Sequence, residues 1–182
     1  ADQVVVAESG AIKIDPDLPL DLACIIGCAV QTGVGAVLNT AGVEAGATVL
    51  VTGAGGIGLS IVQGARIAGA TRIIVSDPVA SRRDAALAVG ATDVVDPLDR
   101  DVVSEAMRLT LVGVDYAFEA AGSGPLVESC LAASRSGGTT VIVGAAPVDD
   151  IASVNVVTAM FTEKRLVGSL LGSCHAPRDF PR

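Results

Sequence analysis

The sequence predicts an α/β fold with a doubly wound parallel sheet, and three observations carry that prediction. Short β-branched runs alternate with Ala-rich helical stretches, each alternation punctuated by Gly, Pro or Asp. Apolar residues make up 51% of the 182 residues, aromatics only 2%, and 21 positions are Gly, so the core must be packed from small aliphatic side chains, as in a sheet buried on both faces. A glycine-rich turn, Gly53 to Gly58, joins the first strong strand to the first strong helix.

The strand candidates are Thr48 to Thr52, Arg72 to Ser76, Asp93 to Val95, Val114 to Phe118, Thr139 to Val143 and Arg165 to Ser169. Helix candidates at Gly56 to Ala68, Ala80 to Val89, Asp99 to Thr110 and Pro125 to Ala133 separate the first five. That βαβαβαβαβ succession requires a parallel sheet with right-handed crossovers. The 47 residues ahead of it read differently: short runs at Val4 to Val6 and Ala11 to Ile14, an Asp15-Pro16-Asp17-Leu18-Pro19 turn, then apolar helices near Leu20 to Cys28 and Gly33 to Thr40. A doubly wound domain does not need this preamble, so it reads as the end of another unit.

A chain of 182 residues supports one domain, or one domain and part of another, and can bury roughly 70% of its unfolded surface without disulfides or a structural metal. Twelve Lys plus Arg against twenty Asp plus Glu give a net charge of −8, which excludes an extended nucleic-acid surface. No apolar run is expected to reach the roughly 20 residues that span a bilayer, and Ala1-Asp2-Gln3 does not open a secretory signal, so no membrane partner is expected. Cys24, Cys28, Cys130 and Cys174 do not suggest a disulfide framework, and a reducing, cytoplasmic compartment is the expectation.

Gly53-Ala54-Gly55-Gly56-Ile57-Gly58 matches G-x-G-x-x-G between strand and helix. In the Rossmann nucleotide-binding turn the first glycine allows the tight bend, the second lets the backbone approach a pyrophosphate, and the third lets helix pack on strand. Unpaired N–H groups at the helix start then face the phosphate. Ordinary tight βα turns can also be glycine-rich, but Asp77 closes the next strand 19 residues after Gly58, close to the roughly 20 expected for the carboxylate that binds a ribose diol. A carboxylate there repels a 2′-phosphate, which favours NAD over NADP. Arg83 reads as a solvated helix face, whereas Arg82 is open between surface charge and a place beside the adenosine. A short-chain reductase is excluded: its turn is one residue longer, and Tyr116 is followed four positions on by Ala120 rather than Lys.

Cys24 and Cys28 stand four apart in a helical stretch and could share one face, either as core thiols or as metal ligands. Zinc takes four ligands, or three with an open position, and with His175 the only histidine the chain alone does not complete such a set.

The stretch Cys24-Ile25-Ile26-Gly27-Cys28-Ala29-Val30-Gln31-Thr32-Gly33-Val34-Gly35-Ala36-Val37 resembles the approach to the cofactor domain of zinc-type medium-chain alcohol dehydrogenases. The likeness continues through the glycine turn, Arg72 to Asp77, Gly90-Ala91-Thr92-Asp93, Val114 to Glu119 and Gly137-Gly138 before Val141-Ile142-Val143-Gly144. The resemblance implies that Cys28 is one ligand of a catalytic zinc, that Cys24 holds a structural position, and that Thr32 backs the nicotinamide ring. It further implies that Gly53, Gly55, Gly56, Ile57 and Gly58 hold the pyrophosphate, Asp77 the ribose and Arg82 the adenosine side, with backbone around Val143 and Ala145 holding the carboxamide. The bland alternatives are a core thiol, a helix cap, a turn Asp, a surface charge and a strand end.

The family's other zinc ligands and proton relay lie in a GroES-like catalytic domain with no counterpart in these residues. The resemblance therefore divides the chain into the tail of that domain (1–28), an NAD-binding Rossmann domain (29–170) and the start of a return (171–182). In the family, zinc acts as a Lewis acid on an alcohol oxygen and hydride passes to NAD, interconverting alcohol and aldehyde. The segment alone is expected to bind cofactor without turnover. A non-catalytic nucleotide-sensing module and a zinc-free quinone or enoyl reductase of the same superfamily are the competing readings. The apolar edge Arg165 to Ser169, with Leu170-Leu171, is where family sheets join, so a homodimer or homotetramer is expected.

Overall fold

The computed structural model describes residues 3–180, so Ala1, Asp2, Pro181 and Arg182, at the outer ends of the expected first and last segments, lie outside the described residues. Six strands form the sheet: β1 (Thr48–Thr52), β2 (Arg72–Ser76), β3 (Asp93–Val95), β4 (Val114–Glu119), β5 (Ser134–Ile142) and β6 (Arg165–Gly168). All neighbouring pairs are parallel, in the order β3-β2-β1-β4-β5-β6. The chain builds outward from β1 to β3, then returns to place β4 on the other side of β1. Between β1 and β4 the crossovers leave in opposite directions, which opens a crevice at the carboxyl ends of these two strands.

The helices are α1 (Leu20–Ala41), α2 (Gly56–Ile67), α3 (Ala80–Val89), α4 (Val102–Thr110), α5 (Gly124–Ala133), α6 (Val156–Thr162) and α7 (Ala176–Asp179). Alternate strand residues face opposite sides of the sheet, and each side has its own apolar core. Val49, Val51, Ile73, Val75 and Phe118 pack with Ile61, Val62 and Ala65 of α2 and with Ala36 and Val37 of α1. Leu50, Ile74, Val114 and Ala117 pack on the other side with Ala106 of α4 and with Cys130 and Ala133 of α5.

The structure moves several expected boundaries. β5 begins at Ser134 rather than Thr139: Gly137, at φ 72°, lies within the strand, whose register against β4 shifts between Val114 and Tyr116. α4 begins at Val102 rather than Asp99 because Asp101 caps it, its carboxylate accepting the Ser104 N–H at 2.8 Å. The short helices α6 and α7 were not expected; Asn155 caps α6 by accepting the Thr158 N–H at 2.9 Å. Val4 to Val6 and Ala11 to Ile14 form no strand.

α1 corrects a second expectation. It runs for 22 residues and contains an 18-residue stretch of mean hydropathy 1.7, long and apolar enough by length and composition alone to cross a membrane. Scattered polar residues, Gln31, Thr32, Asn39 and Thr40, interrupt its apolar runs and hid this from a count of unbroken ones. Its second half packs on the sheet domain, burying Thr32, Gly33, Gly35, Ala36 and Val37. A turn at Leu171–Ser173 docks on it, with Gly35 against the Gly172 backbone and Thr40 Oγ1 hydrogen-bonded to Ser169 and Ser173 hydroxyls at 2.8 Å each.

Candidate functional site

The crevice at the carboxyl ends of β1 and β4 is lined by the loops that follow the strands. Gly53, the first residue after β1, has φ 94°, a left-handed conformation that favours glycine, and a Cβ there would press on Ala121 at 3.0 Å. At Gly58 a Cβ would overlap the Gly53 carbonyl, so turn and helix close on each other only with glycine present. Gly55 is the contrast. Nothing lies within 4 Å of the place its Cβ would take, so its backbone faces open space at the start of α2. The first N–H groups of a helix have no partner within it, and here no side chain caps them, which leaves donors and a positive dipole end toward the crevice.

Asp77 follows β2 and is buried. One carboxylate oxygen accepts the Ala54 N–H at 2.8 Å and the other the Val79 N–H at 2.8 Å, so this side chain joins the glycine turn to the loop entering α3. Each oxygen keeps a further lone pair. The more than half-exposed Arg82 guanidinium lies 3.7 Å from it. Arg83 is not the solvated residue its position suggested. It donates to the Asp77 carbonyl at 2.7 Å and pairs with Asp96 at 2.8 Å, with only 16% of its side chain exposed.

The structure also places Glu119 here, a residue the sequence did not single out as a site. It ends β4, directly across from Thr52 of β1, and is fully buried. Its Oε1 accepts the N–H groups of Ala121 at 2.9 Å and Gly122 at 2.7 Å, while buried Oε2 has no partner. Burial pushes this carboxyl above the usual glutamate range, against the lowering effect of those N–H donors. Cys130, beneath it on α5, is pushed up to about 12, chiefly by burial. An acidic residue closing an apolar strand just before Ala-Ala-Gly was the available signal.

Val143 and Ala145 lie just beyond β5. The Val143 N–H is committed to the Glu119 carbonyl at 2.9 Å, as is that of Gly144, and the Ala145 carbonyl sits where a Cβ on Gly122 would come within 2.5 Å. Thr32 is buried on α1, one residue before Gly33, whose absent Cβ leaves room for the Ile57 carbonyl and Ser60. Ala29 lies 3.4 Å from a Cβ built on Gly56, which brings the segment after Cys28 to the glycine turn. Cys24 and Cys28 are both exposed, which removes the core-thiol reading, and the Cys24 thiol donates to the Asp21 carbonyl at 3.1 Å. Among the described residues no three His, Cys, Asp or Glu side chains gather where they could hold a metal ion, so Cys28 supplies one thiol and not a zinc centre.

Comparison with known proteins matches residues 56–182 to the zinc-binding dehydrogenase family. A probable alcohol dehydrogenase from Pseudomonas sp is 39% identical over 173 residues, covering 92% of this chain and 54% of that protein. The structure of an alcohol dehydrogenase zinc-binding domain protein from Burkholderia ambifaria superposes with a TM-score of 0.92 at 37% identity, covering 96% of this chain and 47% of that one. A zinc-binding dehydrogenase described as putative, from Sinorhizobium meliloti 1021 and bound to NADP, gives 0.75 at 37% identity over 80% of this chain and 43% of that one. The chain spans about half the length of these relatives.

Proposed function

This chain belongs to the zinc-binding dehydrogenase family, and we propose that it is the coenzyme-binding portion of an oxidoreductase, an alcohol dehydrogenase that interconverts an alcohol and an aldehyde with NAD. One observation carries the reading: a bare glycine turn at the crevice between β1 and β4, braced from beneath by Asp77. When bound, the cofactor supplies a two-electron acceptor for hydride from the alcohol carbon, the hydroxyl proton leaving to solvent.

The chain's own residues bind and orient. Gly55, Gly56 and the first turn of α2 would take the pyrophosphate on backbone N–H groups. Asp77 would accept the ribose hydroxyls with its remaining lone pairs, Arg82 would flank the adenosine, Thr32 would back the nicotinamide, and backbone at Val143 and Ala145 would hold its carboxamide. A zinc ion beside Cys28 would need at least two further ligands from outside the described residues. The division into 1–28, 29–170 and 171–182 is part of the same reading.

NADP is the second reading, favoured by the NADP-bound relative and by the exposed Arg82 guanidinium. NAD is preferred because Asp77 sets a carboxylate where a 2′-phosphate would have to sit. Titrating NADH and NADPH separately into the purified chain, followed by cofactor fluorescence, tests both. Saturable NADH binding with much weaker NADPH binding is the expected result. A chain folded by circular dichroism that binds neither overturns the proposal.

A homodimer through the free edge of β6 belongs to the same proposal: Leu166 is partly exposed there, and α6, the helix that precedes β6 in the chain, presents Val156, Met160 and Phe161 to solvent. A single monomeric mass by light scattering overturns it.

A further inference from the structure

A fully buried carboxylate with one unpartnered oxygen is unfavourable beside a satisfied or apolar side chain, so Glu119 is not explained by core packing. Its contacts show what an apolar side chain could not do. Oε1 holds the Ala121 and Gly122 N–H groups, and Gly122 sits at φ 82°, so the loop after β4 turns sharply back toward the carboxylate. The main-chain carbonyl of the same residue holds the Val143 and Gly144 N–H groups at 2.9 Å each, which fixes the loop after β5. The two loops touch: a Cβ on Gly144 would overlap the Gly122 N–H and come 2.8 Å from Glu119 Oε2. A single residue thus sets both loops.

In a doubly wound sheet of this order the two halves of a dinucleotide lie over the two halves of the sheet. The glycine turn and Asp77 lie on the β1-β2-β3 side, and Glu119 with its two loops on the β4-β5-β6 side. We propose that Glu119 is a positioning residue for the nicotinamide half of the cofactor, acting through the loops at Ala121-Gly122 and Val143-Gly144. This inference rests on the dinucleotide reading above and adds a residue to it. Burial keeps the carboxyl protonated over a wider pH range than usual, so an uncharged amide can replace it.

The test separates the two halves of the ligand. NADH and ADP-ribose, which lacks the nicotinamide, are titrated into the parent chain and into Glu119→Ala and Glu119→Gln. The expected result is an NADH Kd about tenfold weaker in Glu119→Ala, an ADP-ribose Kd unchanged within twofold, and NADH binding restored in Glu119→Gln. Equal weakening of both ligands, or of neither, overturns the proposal, because a residue that only supports the fold does not distinguish them. Should Glu119→Ala lack a folded circular dichroism spectrum, Gly144→Ala, which forces the same two loops apart, takes its place: selective loss of NADH binding supports the proposal, and equal loss of both ligands or of neither overturns it. A parent chain that binds neither ligand fails the dinucleotide reading itself, a different result from a parent that binds both while the variant leaves their ratio unchanged.

Discussion

The two ends of the sheet each hold a carboxylate that accepts backbone N–H groups, and they use it in opposite ways. At the amino end, Asp115 of β4, with 26% of its side chain exposed, has a protein partner on each oxygen. It accepts the Thr48 N–H and hydroxyl at 2.8 Å each and the Arg135 guanidinium at 2.6 Å. At the carboxyl end, Asp77 and Glu119 hold loops in place but leave acceptor capacity unused, beside a turn whose second glycine faces empty space. A polar cluster built for stability consumes its own hydrogen-bonding groups. One built for a ligand braces the backbone from behind and leaves its front bare. The contrast supports the proposed binding role for the carboxyl end and gives the amino end a part in folding.

The largest expected effect breaks the carboxyl end from within. Gly58→Ala drives a methyl group into the Gly53 carbonyl, so it should cost about 3 kcal/mol of stability, the upper part of the overpacking range, and abolish NADH binding together. Gly55→Ala meets nothing in the protein, and its φ of −75° suits any residue. It should leave the thermal midpoint within a degree or so while weakening NADH at least about tenfold, by blocking the approach of a pyrophosphate. Equal thermal losses in the two variants, read by calorimetry, would erase the distinction between the closing glycine and the open one.

Next in size is the amino end. Asp115→Ala removes the acceptor of the Thr48 N–H and the partner of the part-exposed Arg135 guanidinium and should cost about 1–2 kcal/mol in guanidinium denaturation. Its NADH Kd should match the parent's, since Asp115 stands at the opposite end of β4 from the crevice. A weakened Kd in a folded variant would show the two ends to be coupled and the assignment of roles mistaken.

The sheet and its glycine turn were legible because each rests on a local signal: short, continuous β-branched runs for the strands, and G-x-G-x-x-G between strand and helix for the turn. Asp77 could be placed by its spacing from Gly58. The division of labour between the two ends was not legible. Asp115 and Glu119 lie four residues apart in one short strand, and nothing in Val114-Asp115-Tyr116-Ala117-Phe118-Glu119 says that one meets a guanidinium and the other two glycine-loop N–H groups. The partners of Asp115, Thr48 and Arg135, lie 67 and 20 positions away, and the N–H groups that meet Glu119, only two and three positions on, are turned back to it by Gly122 at φ 82°. Arg83 misled for the same reason: its helical position looked solvated, but Asp96 and the Asp77 carbonyl were brought to it by the sheet. That Cys28 lies outside the core of the described residues could not be read from its spacing to Cys24.

The smallest expected effect is also the sharpest test of the contrast, because the two carboxylates should give pH dependences of opposite sign. For Asp115, burial alone would raise the carboxyl, but the Thr48 and Arg135 donors outweigh it and hold it below the ordinary aspartate value of 3.8. Its stabilisation is present above 3.8 and is lost as pH falls through the lower folded value. Glu119 is raised, chiefly by burial, above the ordinary 4.5. Its favourable share is complete below 4.5 and is lost as pH rises through the higher folded value. Cys130, the titratable group facing it from α5, is pushed up to about 12 and stays neutral across this window. Denaturation midpoints of the parent, Asp115→Asn and Glu119→Gln, measured from acid to neutral pH, should therefore diverge in opposite directions. The parent gains on Asp115→Asn as pH rises and loses ground to Glu119→Gln above 4.5. Parallel curves for Glu119→Gln and the parent would mean that the buried acid titrates as it does in the unfolded chain, which its lack of solvent and its unpartnered oxygen do not allow.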